Sequence, residues 1–223
     1  RRENPVFWSA HQSVLQRNVP GFGWWIWKPL IISQALKRQH EGLVMYLDSG
    51  SVLNINSQSV NRLGEYFEQA MDSGGLAFRL RDRFESEYTK AATARVLNAS
   101  EAEMASEQIC ATVLLLRRNR TSIQLVDEWL SVAVRDNYLY VNDELETCDF
   151  SSDLVAPRHD QSIWSLLVKR SSLDVIPDET YFAPAWETGK PCPVWATRHR
   201  SGTPPFSSKI HHKVIRRVER LMP

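Results

Sequence analysis

The chain has 223 residues, of which 43% are hydrophobic, and 27 lysines and arginines stand against 26 aspartates and glutamates. That size suits one large domain or two small ones around a buried core. The balance of charge excludes a net field that would gather nucleic acid or an anionic membrane, so an anionic ligand has to be held by a local constellation.

Cys110, Cys148 and Cys192 are odd in number and widely spaced, which points away from a disulfide framework and from a zinc finger. The longest apolar run, Ala111 to Leu116, is far too short to cross a bilayer and suits a buried strand. No membrane span is expected, and the compartment, cytoplasm or secretory lumen, stays open. The chain begins with Arg1 and shows no basic-then-apolar leader, as a processed or excised piece would.

Ser9 to Asn18 mixes polar residues at helical spacing and closes at Pro20, so no central strand is expected before Gly21. Pro29 to His40 reads as a helix with proline in its first turn. Leu43 to Leu47 reads as a strand buried on both faces, ending in Asp48-Ser49-Gly50-Ser51. Val60, Leu63, Phe67 and Met71 recur at helical spacing between Ser57 and Met71. Leu76–Leu80 and Thr112–Arg117 read as strands. Asn119 or Thr121 caps a helix with Ile123, Val126, Leu130 and Ala133 on one face.

Asp143 to Pro157 is acidic and irregular, Asp160 to Val168 is helical, and Leu173 to Ile176 is a last strand. Strands alternating with helices predict a mostly parallel central α/β sheet with helices on both faces, where ligands bind beyond the carboxyl ends of the strands. Residues 1–180 form the expected catalytic domain. Residues 181–223 form an irregular tail, rich in proline and aromatics, with a basic terminal helix.

Three clusters carry the chemistry. Gly21-Phe22-Gly23-Trp24-Trp25-Ile26-Trp27-Lys28-Pro29 packs three tryptophans and a lysine before a helix. Lys28 could meet a phosphate at that helix amino end, or the segment could be a tryptophan plug with Lys28 reaching to water. Asp48 leaves an apolar strand for a small-residue loop and could bind a divalent ion or ribose hydroxyls, or cap a turn. In Arg158-His159-Asp160-Gln161-Ser162, Asp160 could cap the helix or the group could wall a site, while His159 could be a structural, hydrogen-bonded histidine.

Gly21–Ile32 and Met45-Tyr46-Leu47-Asp48-Ser49-Gly50 together resemble the GYGYWIWKP-like loop and YLDAG-like strand end of a GT-A-type glycosyltransferase family of polysaccharide biosynthesis. Tyr88-Thr89-Lys90, Glu128-Trp129 and the HDQS-like His159-Asp160-Gln161-Ser162 are similar to further motifs of that family, in the same order, over roughly Phe7 to Val168.

The resemblance implies a Rossmann-related fold and transfer of a sugar from a nucleotide-sugar donor to a glycan or other hydroxyl acceptor. It implies donor binding by Trp27, Lys28, Asp48, Ser49, Gly50, Lys90 and Gln161, and catalysis by Asp48 with Asp160 as base. It also implies a Mn2+ or Mg2+ cofactor, for which Asp48 and His159 are the candidate ligands. The sequence departs from the family's Asp-x-Asp pattern, since Gly50 stands where the second acid belongs. Only 47 residues precede Asp48, so the amino-terminal nucleotide-binding strand is expected to be missing.

Two other readings compete. A phosphohydrolase of the haloacid dehalogenase type would also place an aspartate after an apolar strand, but Gly50 occupies the position of its second acid. A non-catalytic glycan-binding or scaffold module could use the tryptophans for sugar stacking. The transferase reading requires Asp48, Lys28 and the Arg158–Gln161 cluster to line one cleft.

Overall fold

The computed structural model describes residues 3–150 and 153–197. The expected basic terminal helix and the Arg198-His199-Arg200 step lie outside the described residues. The strands are β1 (Leu43–Leu47), β2 (Val52–Leu53), β3 (Gly75–Phe84), β4 (Glu107–Ile109), β5 (Val113–Arg117), β6 (Asp174–Pro177) and β7 (Val194–Trp195). β1, β3, β4, β5 and β6 share one sheet, and β2 pairs with β7 in a two-stranded ribbon.

The sheet corrects the expectation of a mostly parallel, Rossmann-related α/β architecture. β1 runs antiparallel to β5, and β3 runs antiparallel to both β5 and β4. Only β6 pairs in parallel with β3. The physical reason lies in the strand order: the Ser57–Ser73 helix crosses from β1 to β3 so that the two run in the same direction, as a parallel crossover does, but β5 inserts between them and runs opposite to both. β4 and β5 are separated by Cys110-Ala111-Thr112 alone.

Those three residues interrupt the ladder. The carbonyls of Gly74 and Phe78, which point to the same side of β3, accept from Arg117 N and Cys110 N, while the Arg79 carbonyl on the other side accepts from Asp178 N. β4 and β5 therefore lie end to end along one side of β3. An unbroken ladder from Arg79↔Ile109 would set Leu76 opposite Thr112, but Leu76 stands opposite Leu115. Cys110–Thr112 is thus an insertion that bulges out of the ladder, as bulges beside active sites do.

Helices cover both faces. On one, the Ser57–Ser73 helix packs Tyr66 and Ala70 over Leu76, Phe78, Val113 and Leu115. On the other, the helices Trp27–Arg38, Arg120–Val134 and Asp160–Lys169 cover Ala77, Leu114 and Leu116. The alternation along β5 supplies both cores because successive strand side chains point to opposite faces.

Several local expectations shift. β1 is half-buried along its length, because it pairs only with β5 and stands at an edge. The Ser57–Ser73 helix is rotated so that Val60 and Met71 are exposed while Ser59, Tyr66 and Ala70 are buried. Asn119, not Thr121, caps the next helix, accepting from Ser122 N at 2.7 Å. Residues 3–20 hold the Pro5–His11 helix and no strand. In the tail, Val194 is fully buried in the smaller core and Thr197 Oγ1 donates to the Gly50 carbonyl at 2.9 Å. Among the described residues no helix is long and apolar enough to cross a membrane.

Candidate active site

The tryptophan-rich segment reaches its helix through a run of positive φ angles: Gly21 at 59°, Phe22 at 57°, Gly23 at 98°, Trp24 at 49° and Trp25 at 61°. Left-handed backbone costs a residue with a Cβ roughly 1–2 kcal/mol, so a run containing three such residues must be held by its surroundings. Trp27 Nε1 donates to the Gly21 carbonyl at 2.9 Å, and Trp24 Nε1 donates to Asp143 Oδ2 at 2.8 Å. The Trp25 ring lies where a Cβ on Gly21 would be, which fixes glycine there.

This turn delivers Lys28 into the interior. Its side chain is 3% exposed, so it does not snorkel to water. Lys28 Nζ donates to the Ala111 carbonyl at 3.2 Å and lies 3.3 Å from Asp48 Oδ1 and 2.9 Å from Asp160 Oδ2. The rings of Tyr46 and Trp25, with centroids at 5.4 and 6.0 Å, close over the ammonium. Burial pulls the Lys28 pKa down, but the charges of Asp160 and Asp48 overcome it and hold it above lysine's ordinary value. The ammonium keeps its proton.

Asp48 follows the last residue of β1. Its backbone N–H donates to the Thr112 carbonyl at 2.9 Å, so the bulge anchors Lys28 with one carbonyl and Asp48 with the next. Tyr46, two residues earlier and on the same strand face, donates its hydroxyl to Asp48 Oδ1 at 2.7 Å. Burial first, and then the charge of Asp48, push the Tyr46 hydroxyl far up, so it stays a donor. The Asp48 side chain remains 30% exposed.

Asp160 opens the Asp160–Lys169 helix without capping it: His159 is the N-cap residue and makes no side-chain cap hydrogen bond. The Asp160 backbone is fixed by the buried Trp129, whose Nε1 donates to its carbonyl at 3.0 Å. The helix is locked onto the bulge by Trp164 Nε1 donating to the Cys110 carbonyl at 3.0 Å and by Ile109 N donating to Ser165 Oγ at 2.7 Å. Behind it, Gln161 donates to Gln108, Gln108 donates to Glu85, and Glu85 also receives Thr89, Ser165 and Lys169. Burial raises the Asp160 pKa above the ordinary carboxylate range, against the opposing pull of Lys28. Asp160 thus holds a proton more tightly than an exposed acid.

These groups line one cleft of about 890 Å3, together with Trp25, Trp27, Ser49, Gly50, Ser51, Thr112, Arg158 and Gln161. Such a volume lies in the range of small-molecule sites. Among the described residues, the buried side-chain oxygens without a hydrogen-bond partner are Ser51 Oγ and Asp160 Oδ2, and both belong to this cleft. Asp160 Oδ2 is met instead by the Lys28 ammonium at 2.9 Å. An unsatisfied buried oxygen is costly, and Ser51 Oγ on the wall of this cleft marks a place that a polar ligand completes.

The structure therefore brings together Trp27, Lys28, Asp48, Ser49, Gly50, His159, Asp160 and Gln161. Lys90 is elsewhere: its buried ammonium donates to the Leu139 carbonyl at 2.7 Å and to Asn142 Oδ1 at 2.8 Å, tying down the loop after the Arg120–Val134 helix. His159 lies along the cleft but turns Nδ1–H to the Val141 carbonyl at 2.8 Å and stacks its ring 5.5 Å from that of Trp25.

The implied divalent cation does not fit this arrangement. Asp48 and Asp160 are suitable hard oxygen donors, but the point they share is filled by Lys28 Nζ, and the Nε2 of His159 faces Asp143 at 3.7 Å. Motifs and spacing assign no role to Tyr46, Ser51 or the Ala111–Thr112 carbonyls. The i, i+2 spacing of Tyr46 and Asp48 could have revealed the first; nothing in the sequence marks a bulge whose work is done by backbone.

Comparisons with protein-family models, with curated proteins and with solved structures find no match.

Proposed function

We propose that this chain is a glycosyltransferase that moves a sugar from a nucleotide-sugar donor to a hydroxyl acceptor in the cleft around Asp48, Lys28 and Asp160. The observation that carries the reading is the convergence in one cleft of a paired-carboxylate and ammonium cluster with the unpartnered buried Ser51 Oγ. The motif resemblance supplies the substrate class, and it rests on sequence alone.

In the proposed step the acceptor oxygen bonds to the anomeric carbon, the bond from that carbon to the diphosphate oxygen breaks, and the nucleoside diphosphate leaves with the electron pair. The acceptor's proton passes to Asp160, whose pKa burial raises above that of an exposed aspartate, making it the stronger proton acceptor. Asp48, partly open to the cleft and held by Tyr46, binds donor hydroxyls. Ser51 Oγ offers a further polar contact. Lys28 fixes both carboxylates and contributes positive potential beside the departing diphosphate.

The test is a panel of uridine and guanosine diphosphate hexoses, scored for release of nucleoside diphosphate by the whole chain with and without simple sugar acceptors. At least one donor is expected to turn over, and Asp48→Asn is expected to stop it while leaving the melting curve near wild type. Binding of free oligosaccharides, with no response to any nucleotide-sugar, would replace the transferase by a glycan-binding module. Turnover unaffected by Asp48→Asn would move the site elsewhere.

A further inference from the structure

We propose that the Lys28 ammonium holds the position between Asp48 and Asp160 that a divalent cation would take, so that nucleotide binding at this cleft needs no divalent ion. The nucleotide half of this inference rests on the transferase reading; the cation half does not.

The ammonium has the surroundings of a bound metal. Lys28 Nζ sits within 3.3 Å of three oxygens that differ in origin: Asp48 from the end of β1, Asp160 from the start of a helix, and the Ala111 carbonyl from the bulge. Carboxylates plus a backbone carbonyl are what a hard cation recruits. Here the cation is covalent. It is delivered by the left-handed turn at Gly21–Trp25, and two aromatic faces close the side that oxygens leave open.

A metal entering between the two acids would have to displace a lysine that is 3% exposed and break its contacts with the Trp25 and Tyr46 rings. Electrostatics point the same way. The Lys28 ammonium already supplies, between the two carboxylates, the positive charge that would otherwise draw a cation there. The departure from Asp-x-Asp then has a physical sense: with Gly50 in place of the second acid, the loop is not asked to hold an ion, and a lysine takes over the charge.

Mn2+ alone is the probe, read by the loss of free-ion electron paramagnetic resonance signal on titration with protein. The wild-type chain should show no Asp48-dependent uptake: its titration should superimpose on that of Asp48→Asn. Lys28→Ala, which leaves the three oxygens and opens space among them, should bind Mn2+ about tenfold or more tightly than wild type, and Lys28→Ala combined with Asp48→Asn should lose the gain. Should Lys28→Ala not fold, Lys28→Gln is titrated in its place; if neither folds, the wild-type comparison decides.

Uptake by wild type that disappears in Asp48→Asn overturns the proposal, and so does a folded Lys28 variant with no gain. Uridine diphosphate is titrated in parallel with chelator or with Mn2+. Equal affinity is expected, and wild-type affinity raised about tenfold by Mn2+ overturns the proposal. No nucleotide binding under either condition removes the transferase reading and leaves the manganese titration to judge the lysine.

Discussion

Asp160→Asn separates a catalytic acid from a structural one, because the structure sets limits on what the substitution can cost. Removing one partner of a buried ion pair typically costs about 3–5 kcal/mol, since the other charge is left uncompensated. Lys28 would not be left so: Asp48 remains at 3.3 Å and the Ala111 carbonyl at 3.2 Å. The amide also relieves the desolvation that raises the Asp160 pKa. A net loss of about 1–2 kcal/mol is expected, or roughly 2–8 °C in Tm for a domain of this size.

Turnover should fall far more, by about 10² to 10⁴, if Asp160 takes the acceptor's proton. The pH dependence supplies an independent readout. Asp160 has a higher proton affinity folded than unfolded, so above about pH 4 the unfolded chain has released a proton that the folded chain retains. Wild-type stability then contains a component that falls as pH rises until Asp160 has ionised. Asp160→Asn should lack that component, giving a flatter profile of unfolding free energy above about pH 4 by urea titration. Near-normal turnover, or a Tm loss well beyond about 8 °C with full activity in the folded fraction, would refute the reasoning and make Asp160 a structural counter-ion.

Glu85→Ala should cost about 3–5 kcal/mol in urea unfolding, because it strands Lys169 and the buried donors of Thr89, Gln108 and Ser165. Gly21→Ala should disrupt the left-handed turn and lower Tm, since its Cβ would fall 2.1 Å from the Trp25 ring. Gly42→Ala is the control: Gly42 has a positive φ but nothing within 4 Å of a Cβ, so a loss of only about 1–2 kcal/mol is expected. Trp129→Phe should cost about 2–4 kcal/mol through a smaller side chain and the lost indole hydrogen bond to the Asp160 carbonyl, with a fall in turnover that exceeds the loss of folded protein.

The features legible in the residues are those set by local forces. The helix beginning near Pro29, the helix capped at Asn119 and the strand Leu43–Leu47 are each announced by proline, a cap or an apolar run, and each is present. Strand direction is not local. Leu43–Leu47 and Val113–Arg117 are equally apolar whether they run together or opposed, and the antiparallel register of Leu47 with Val113 is decided by how the intervening chain packs. In the same way, Lys28 and Lys90 look alike in sequence as lone lysines beside aromatic or polar neighbours. One is steered under Trp25 and the other is used up on the carbonyls around Leu139 and Asn142.

The cleft can nevertheless form on an antiparallel sheet, and the reason lies in the bulge. In a parallel sheet, ligand groups gather where neighbouring strands all end. Here β1 ends where β5 begins, and an unbroken β4–β5 strand would bring ordinary ladder backbone, fully paired, up to Asp48. The insertion at Cys110–Thr112 takes backbone out of the ladder at that point. It frees the Ala111 carbonyl for Lys28 and the Cys110 carbonyl for the Trp164 indole, while the Thr112 carbonyl carries the β1–β5 ladder one step further to Asp48 N. Three consecutive carbonyls thus fix a lysine, an aspartate and the helix that carries Asp160. Deleting one residue of this step would return the strand toward ladder register and flip the side chains beyond it to the opposite face, so the site and the two cores would be lost together.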